Sequence, residues 1–276
     1  ETAARALLEA LPNSPEQSKI TIIKALGELK YRFASKPVSA FAGTDNQGLQ
    51  KVVYTALANI ADPQSYQMLY NAAKKVDFKY EPTNAAESFL VYSDNLLQAG
   101  NLQSGQKALK AIMKANSSDD RLHNYSGALA VYAKYFGYEA MPLLLKAVDN
   151  NDKAFRMAAL NIAKETGDIA ATREWMNKAQ SVSPEVKAEI INMLGRRGDP
   201  LVRRFLSENL NSPSSDLRKE AISALVKLEG KEAVPQLITH LVNGNDVPET
   251  KNALLQLLDR EHLKPVAAGL TQTSGN

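Results

Sequence analysis

One helical pattern recurs eight times along the 276-residue chain, most often at an interval of 31 residues. In the copy that begins at Leu217, apolar residues follow at Ala221, Ile222, Ala224 and Leu225, which all lie on one side of a 3.6-residue helix. The same frame begins at eight positions: Ser18, Leu49, Phe89, Asn124, Phe155, Val186, Leu217 and Thr250. A fixed period between about 20 and 50 residues indicates stacked supersecondary units. The chain is therefore predicted to be a solenoid.

Each copy is predicted to contain two helices, of which the second, helix B, carries the apolar frame. Ser14 and Ser183 each precede a proline, and Ser215 or Asp216 stands at the same place, so these residues are predicted to cap B helices. Glycines that can adopt the left-handed conformation are predicted to end them: Gly100, Gly137, Gly167, Gly198 and Gly230. The first helix, helix A, is predicted at 2–11, 64–75, 102–115, 169–179, 200–210 and 262–270, and it also follows Gly137 and Gly230.

The segment Asp216–Leu225 resembles helix B of HEAT repeats of the short bacterial kind, and 154–159 and 185–190 are weaker copies. The resemblance implies an all-α fold, a right-handed α-α superhelix of about eight two-helix repeats whose B helices line a concave face. We expect one array over 1–276, most regular at 139–260. Because the chain starts at Glu1 rather than Met, two origins are open, a processed product or a module of a larger protein. The resemblance implies no single activity.

Two segments depart from the period. Residues 31–43 fit a helix poorly, and the interval between the frames at Leu49 and Phe89 grows to 40 residues. The extra residues include 76–83. Insertions in repeat proteins usually form loops on one face, often the binding face.

The composition excludes several kinds of site. The chain has no cysteine, which removes disulfides and thiol nucleophiles and leaves the compartment open. Its three histidines, His123, His240 and His262, lack the spacing of a helical zinc site, and no phosphate-binding or nucleophile-elbow motif occurs. We therefore expect no enzyme, no cofactor and no metal. No apolar run is long enough to span a membrane, and the net charge of +3 is small for a nucleic-acid partner.

The exposed side of the B helices supplies the first candidate site. The residues six positions after each frame start face away from the apolar stripe and are mostly amides or hydroxyls, which can bind a peptide backbone or a sugar. The candidate residues of this polar ladder are Asn95, Asn161, Asn192, Ser223 and Gln256. A solvated helix face is the alternative. Basic residues one position after the frame start, among them Arg156 and Arg218, are predicted to pair with acids between repeats.

Secondary candidates come from two uneven distributions. Eight of the ten tyrosines lie between 66 and 138, and Tyr92, Tyr132 and Tyr135 are the candidates among them, with core packing as the alternative. Arg196 and Arg197 belong to the densest basic cluster, for which a solvated corner is the alternative.

These observations favour a non-catalytic binding or scaffold module. We expect a protein or peptide partner, with a glycan as the other option; we expect no nucleic-acid partner and no membrane span. The alternatives are a nucleic-acid-binding protein similar in fold to HEAT-like DNA repair glycosylases, and an accessory module resembling bilin lyases, which also carry such repeats.

Overall fold

The computed structural model describes residues 2–118 and 121–257, and these residues form helices and turns without a β-strand. The chain divides into two compact units, 1–135 and 136–276. The N-terminal unit contains α1 (Thr2–Ala10), α2 (Glu16–Glu28), α3 (Ser35–Ser39), α4 (Gln47–Ile60), α5 (Tyr66–Lys75), α6 (Ala85–Gln98), α7 (Leu102–Ala115) and α8 (Leu122–Phe136). The C-terminal unit contains α9 (Met141–Ala147), α10 (Lys153–Glu165), α11 (Ile169–Lys178), α12 (Pro184–Arg197), α13 (Arg203–Asn209), α14 (Ser215–Glu229), α15 (Val234–Val242) and α16 (Val247–Leu257).

The even-numbered helices are the predicted B helices, and the odd-numbered ones are the A helices. Every predicted frame start lies in its even-numbered helix, and successive B helices pack on one another from α2 to α6 and from α10 to α16. Buried side chains recur at the predicted positions, for example Leu26, Leu57, Leu194 and Leu225, all fully buried. The prediction of an all-α helical-repeat solenoid is confirmed. The predicted helix at 262–270 and His262 lie outside the described residues.

Two B-helix pairs approach so closely that one residue must lack a side chain. A Cβ atom on Gly27 would lie 2.6 Å from the Ala56 Cα atom, and one on Gly195 would lie 2.6 Å from the Ala224 Cα atom. Both glycines stand nine positions after a frame start, and both alanines stand seven positions after the next. The same backbone contact therefore recurs in both units, between α2 and α4 and between α12 and α14.

The ends of the B helices largely follow the predicted signals. The Ser183 side chain accepts a hydrogen bond from the Val186 backbone N–H, and Gly198 ends α12 with a φ of 75°. Ser14 differs, because its hydroxyl donates to the Ala10 carbonyl oxygen instead of capping α2. Ser215 lies inside α14 and bonds to the Asp246 carboxylate, so it does not cap that helix either.

Residues 31–43 contain more helix than expected. A 3-10 turn at Arg32–Ala34 leads into α3, which includes Pro37. Proline is tolerated there because the first turn of a helix has no intrahelical donor bond to lose. The Ser35 and Ser65 hydroxyls meet in a buried hydrogen bond of 2.9 Å between the starts of α3 and α5. Contacts with the neighbouring repeat compensate for a local sequence that favours helix weakly.

Two of the basic residues that follow the frame starts, Arg156 and Arg218, pair with acids of the next repeat as predicted. The Arg156 side chain on α10 is 6% exposed and binds both carboxylate oxygens of Glu189 on α12 at 2.8 Å. Its guanidinium also donates to the carbonyl oxygens of Asn150 and Asn151. Arg218 binds the buried Asp246 carboxylate at 2.6 Å and 3.0 Å in the same way. These pairs hold successive B helices in register.

Candidate functional site

A groove of about 430 Å³ lies on the exposed face of three consecutive B helices in the C-terminal unit. Lys153 and Met157 of α10, Glu185, Glu189 and Asn192 of α12, and Asp216, Lys219 and Glu220 of α14 are among its lining residues. The volume lies within the range of about 300–1,000 Å³ that is typical of ligand sites. We call this cleft the acidic groove.

The acids of the groove come from two pairs of acidic residues with the same spacing in the sequence. Glu185 and Glu189 are four residues apart on α12, and Asp216 and Glu220 are four residues apart on α14. Residues four apart lie on the same helix face, and each pair starts one position before the apolar frame. Two neighbouring helices therefore present two acids each to the same cleft. The spacing of these acids is visible in the sequence, but the predicted polar ladder contains only uncharged residues and therefore omits them.

The four carboxylates differ in the hydrogen bonds and ion pairs that they form within the protein. Glu189 is buried and bound by the Arg156 guanidinium, and this bond raises the pKa of Arg156. Glu185 is exposed, also contacts Arg156 at 2.9 Å, and lies 4.0 Å from the Lys153 ammonium. The Asp216 side chain forms no hydrogen bond or ion pair among the described residues, and its charge contributes, after the larger effect of Glu249, to the raised pKa of Lys219.

Glu220 and Asn192 form the centre of the groove. The Asn192 amide donates to one Glu220 oxygen at 2.8 Å, which leaves the second Glu220 oxygen and the Asn192 carbonyl oxygen without a partner among the described residues. Lys219 is on the rim, and a 2.8 Å bond to Glu249 raises its pKa. The groove therefore offers several open hydrogen-bond acceptors, while its two lysines already contact carboxylates.

The polar ladder is split between the two units. Asn95 is half-buried in the N-terminal unit and donates to the Ala58 carbonyl oxygen at 3.0 Å. In the C-terminal unit, the Asn161 side chain accepts a hydrogen bond from Arg196, and Asn192 lines the acidic groove. The asparagine side chains thus contact neighbouring B helices. Ser223 is half-buried on α14 and Gln256 is exposed on α16. Ligand binding by this ladder stays a prediction.

The secondary candidates occupy different environments. Tyr92 is fully buried, and its hydroxyl donates to the Asp62 carbonyl oxygen at 2.8 Å; burial raises the pKa of Tyr92. Tyr132 is buried, and its hydroxyl accepts a hydrogen bond from Gln106 at 3.0 Å. Tyr135 is half-exposed beneath the Lys134 ammonium. These positions place the first two within the core of the N-terminal unit.

The two arginines also differ. Arg196 is exposed at the end of α12 and donates to the Asn161 side chain. The Arg197 guanidinium donates to the Ala163, Thr166 and Gly167 carbonyl oxygens at 2.7–2.8 Å, and so satisfies the open carbonyls at the end of α10. Burial lowers the pKa of Arg197. Its donors are used within the fold.

Within residues 2–118 and 121–257, no group of three or more His, Asp or Glu side chains is arranged to hold a metal ion. None of the helices described there is long and apolar enough to cross a membrane.

The comparison with family models agrees with this architecture. Residues 172–259 match the model described as HEAT repeats, and this range contains α12 and α14 with their acids. Residues 172–259 are therefore identified as HEAT-like repeats. The match lies in the C-terminal unit, and the same alternation of A and B helices occurs in the N-terminal unit. No curated protein matches the chain in sequence.

The chain is also similar to a solved structure, that of human deoxyhypusine hydroxylase in complex with glycerol. The match covers 100% of this chain and 97% of that chain, at 16% sequence identity and a TM-score of 0.35. By its name that protein is an enzyme, which contradicts the predictions that this chain is a non-catalytic module and not an enzyme. Both predictions rested on missing motifs, and they are withdrawn. A similarity this low transfers no activity to the chain.

Proposed function

We propose that the acidic groove binds a cationic segment of a polypeptide, with lysine or arginine side chains entering between α12 and α14. The observation that carries this proposal is the excess of unused acceptors at Asp216, Glu220 and Asn192. Lysine and arginine side chains carry only donors, so they complement such a surface. HEAT repeats commonly present helix faces to other proteins, which agrees with a polypeptide partner.

Competing ligands fit the groove less well. A nucleic acid would bring phosphates against four carboxylates, and like charges repel. A neutral glycan would find acceptors but few free donors, since Lys153 and Lys219 already contact acids. A cationic peptide gains both charge attraction and hydrogen bonds. This recognition applies equally to a substrate and to a stable partner.

The proposal is tested with three fluorescein-labelled hexapeptides, of lysine, glutamine and glutamate, by fluorescence anisotropy on the full chain. We expect the lysine peptide to bind most tightly, with an affinity that falls as salt rises, because exposed charges are screened beyond about 8 Å at 0.15 M ionic strength. Binding of a neutral hexasaccharide at comparable affinity would favour a glycan instead and would count against the proposal.

The decisive variant is Asp216→Asn combined with Glu220→Gln. It removes two charges but leaves an acceptor for Asn192 at position 220. We expect affinity for the lysine peptide to fall roughly tenfold or more, since bonds to charged groups contribute about 1.5–3 kcal/mol each. The matched control is Glu208→Gln with Glu232→Gln, two exposed acids of the same unit outside the groove. If both double variants weaken binding equally, the affinity depends on the total charge of the protein and the groove is not the binding site.

A further inference from the structure

Residues 29–36 run from the end of α2 into α3 and expose two large apolar side chains among three cations. Leu29 is 56% exposed and Phe33 is 72% exposed. The three cations are exposed as well: Lys30, Arg32 and Lys36. The segment contains no acid, and we call it the cationic loop. It belongs to the N-terminal unit and shares no residue with the acidic groove, so the polypeptide proposal does not depend on it.

The hydrogen bonds that close α2 give the loop a defined backbone. The Lys30 N–H donates to the Gly27 carbonyl oxygen at 3.0 Å, and the Tyr31 N–H donates to the Leu26 carbonyl oxygen at 3.1 Å. This pair of bonds requires a left-handed residue after the helix, and that residue is Lys30, with a φ of 50°. The exposed side chains therefore project from a turn that is hydrogen-bonded to α2.

Lys30 occupies a position that glycine fills in another repeat. At the end of α6 the same two bonds form, from Gly100 to Leu97 and from Asn101 to Leu96, and Gly100 has a φ of 81°. Glycine adopts this region freely, whereas a residue with a Cβ atom adopts it at a cost in energy. The Lys30 ammonium forms no ion pair or hydrogen bond among the described residues. Its charge is therefore available to an external partner.

The other two cations of the loop are also unpaired. Neither Arg32 nor Lys36 forms an ion pair with a described residue. The acid that precedes the loop, Glu28, lies 3.9 Å from the Lys24 ammonium, and the acid of the adjoining turn between α4 and α5, Asp62, is buried. The loop therefore presents three positive charges, and the acids beside it are paired or buried.

The corresponding turn between α12 and α13 differs in this respect. Leu201 is 37% exposed there, but Arg203 binds Glu229 at 2.6 Å and Arg204 binds Glu208 at 2.8 Å. Those arginines find acids within their own unit. In the cationic loop, by contrast, exposed apolar side chains and unpaired cations occur together.

An anionic membrane surface matches both features of the loop. Negative headgroups attract clustered lysine and arginine, and leucine and phenylalanine gain by burial at the boundary of the acyl chains. A single-stranded nucleic acid would also meet the cations, but it typically stacks its bases on several aromatic rings. Tyr31 is half-buried, which leaves Phe33 as the one well-exposed ring of the loop, and Leu29 would stay in water.

We propose that the cationic loop docks on a membrane surface that contains anionic lipids. The two apolar side chains enter the boundary between headgroups and acyl chains, and the three cations bind the lipid phosphates. The binding is peripheral and reversible, because even a whole myristoyl chain gives only marginal attachment and two side chains bury less apolar surface.

The test measures co-sedimentation of the full chain with two kinds of vesicle, one of phosphatidylcholine and one of an equal mixture of phosphatidylcholine and phosphatidylserine. We expect saturable binding to the mixed vesicles that weakens as salt rises, and little binding to phosphatidylcholine alone. Equal binding to both vesicles would exclude recognition of the anionic headgroup. A fluorescein-labelled oligothymidylate and the glutamate hexapeptide are titrated in parallel, and a chain that binds either of them but not the mixed vesicles has a different partner.

The charge variant combines Lys30→Gly, Arg32→Gln and Lys36→Gln, and glycine at position 30 keeps the backbone conformation. Each basic residue near an anionic surface strengthens binding about fivefold, so the three changes together should weaken binding to the mixed vesicles about 100-fold.

The matched control combines Lys51→Gln, Lys74→Gln and Lys75→Gln, which removes the same charge from exposed positions of the same unit. We expect this control to weaken vesicle binding less than about fivefold, because these lysines lie outside the loop. Equal losses in the two triple variants would show that only the total charge matters, and the assignment to the loop would then be wrong.

Insertion of the apolar side chains is measured separately. The chain has no cysteine, so Phe33→Cys gives a single site for an environment-sensitive nitrobenzoxadiazole label. We expect its fluorescence to rise on addition of the mixed vesicles, whereas the same label at Tyr80→Cys, an 88% exposed position of the same unit, should not respond. Leu29→Ala with Phe33→Ala should weaken vesicle binding about tenfold at an unchanged melting temperature. No rise at position 33, or full binding by the alanine variant, would show that the loop does not insert and would overturn the proposal.

Discussion

Replacing Arg156 with alanine is expected to destabilise the C-terminal unit severely. The Arg156 side chain is 6% exposed and bridges α10 to α12 through Glu189, which is 8% exposed. The change leaves the Glu189 carboxylate buried without its counter-charge. Removal of one partner from a buried ion pair costs about 3–5 kcal/mol.

The other bonds of Arg156 add little to that figure. Glu185 is 63% exposed and can turn into water, so its pair contributes about 0–1 kcal/mol at most. The Asn150 and Asn151 carbonyl oxygens belong to a turn whose residues reach solvent, so water can replace the lost donor. We therefore expect a loss of about 3–5 kcal/mol, dominated by Glu189.

The single tryptophan makes the measurement specific to this unit. Trp175 on α11 is fully buried, so its fluorescence in a urea titration follows unfolding of the C-terminal unit. Circular dichroism at the same urea concentrations shows whether the rest of the chain unfolds with it. The matched control is Arg204→Ala, which removes a 91% exposed arginine of the same unit and should change little.

A double variant separates the loss of the pair from the loss of packing. Arg156→Met combined with Glu189→Met removes both charges at similar volume, and it should recover most of the stability lost in Arg156→Ala. A loss of under about 1 kcal/mol in Arg156→Ala, or no recovery in the double variant, would show that the buried pair does not hold the repeats together.

Three further predictions use the same urea titration. Gly195→Ala should lower the free energy of unfolding, because the new Cβ atom has no room between α12 and α14. Overpacking costs about 1–3 kcal/mol, and the higher helix propensity of alanine offsets about 1 kcal/mol of that cost. An increase in the free energy of unfolding would contradict the close approach of the two helices. Leu225→Ala should cost about 2–5 kcal/mol and Asn192→Ala about 1 kcal/mol, and the reverse order would contradict the orientation of the helix frame. The Arg218 bond lowers the pKa of Asp246, so this carboxylate stabilises the fold above about pH 4 and loses that effect as the pH falls through the lowered pKa. Asp246→Asn should therefore reduce the decline of the unfolding free energy below about pH 4, and a decline equal to that of the wild type would count against the pair.

Most of the fold could be predicted because its signals are local. The apolar frame orients every B helix, and the glycine at position 198 ends α12 by a conformation that other residues reach at a cost. Arg156 and Arg218 were predicted to pair between repeats from their position alone, and both do. Residues 31–43 were predicted less well, because the helix at Ser35–Ser39 depends on contacts with α4 and with Ser65.

The candidate sites were less accessible to prediction from the sequence. The polar ladder is predicted from positions that face away from the core, yet Asn95 and Asn192 bond to neighbouring helices. Apart from the Asn192 carbonyl oxygen, the open acceptors of the groove lie on acids outside the ladder. Tyr92 was selected for its residue type, but it fills the core of its unit. The orientation of a side chain on one helix can be read from its spacing, whereas its partners come from another repeat.

The amino-acid sequence by itself determined the helices, their period and the faces they bury, because apolar spacing and helix-ending residues act within one or two turns. Only the tertiary structure decided which carboxylates of the acidic groove are unpaired, since Arg156 and Lys219 each bind an acid of the next repeat, about 30 residues further along the chain. It also decided that the extra residues before α6 line a pocket together with residues of α6, α7 and α8. Both outcomes depend on distances between side chains that are remote in sequence, and the packing of neighbouring repeats sets those distances.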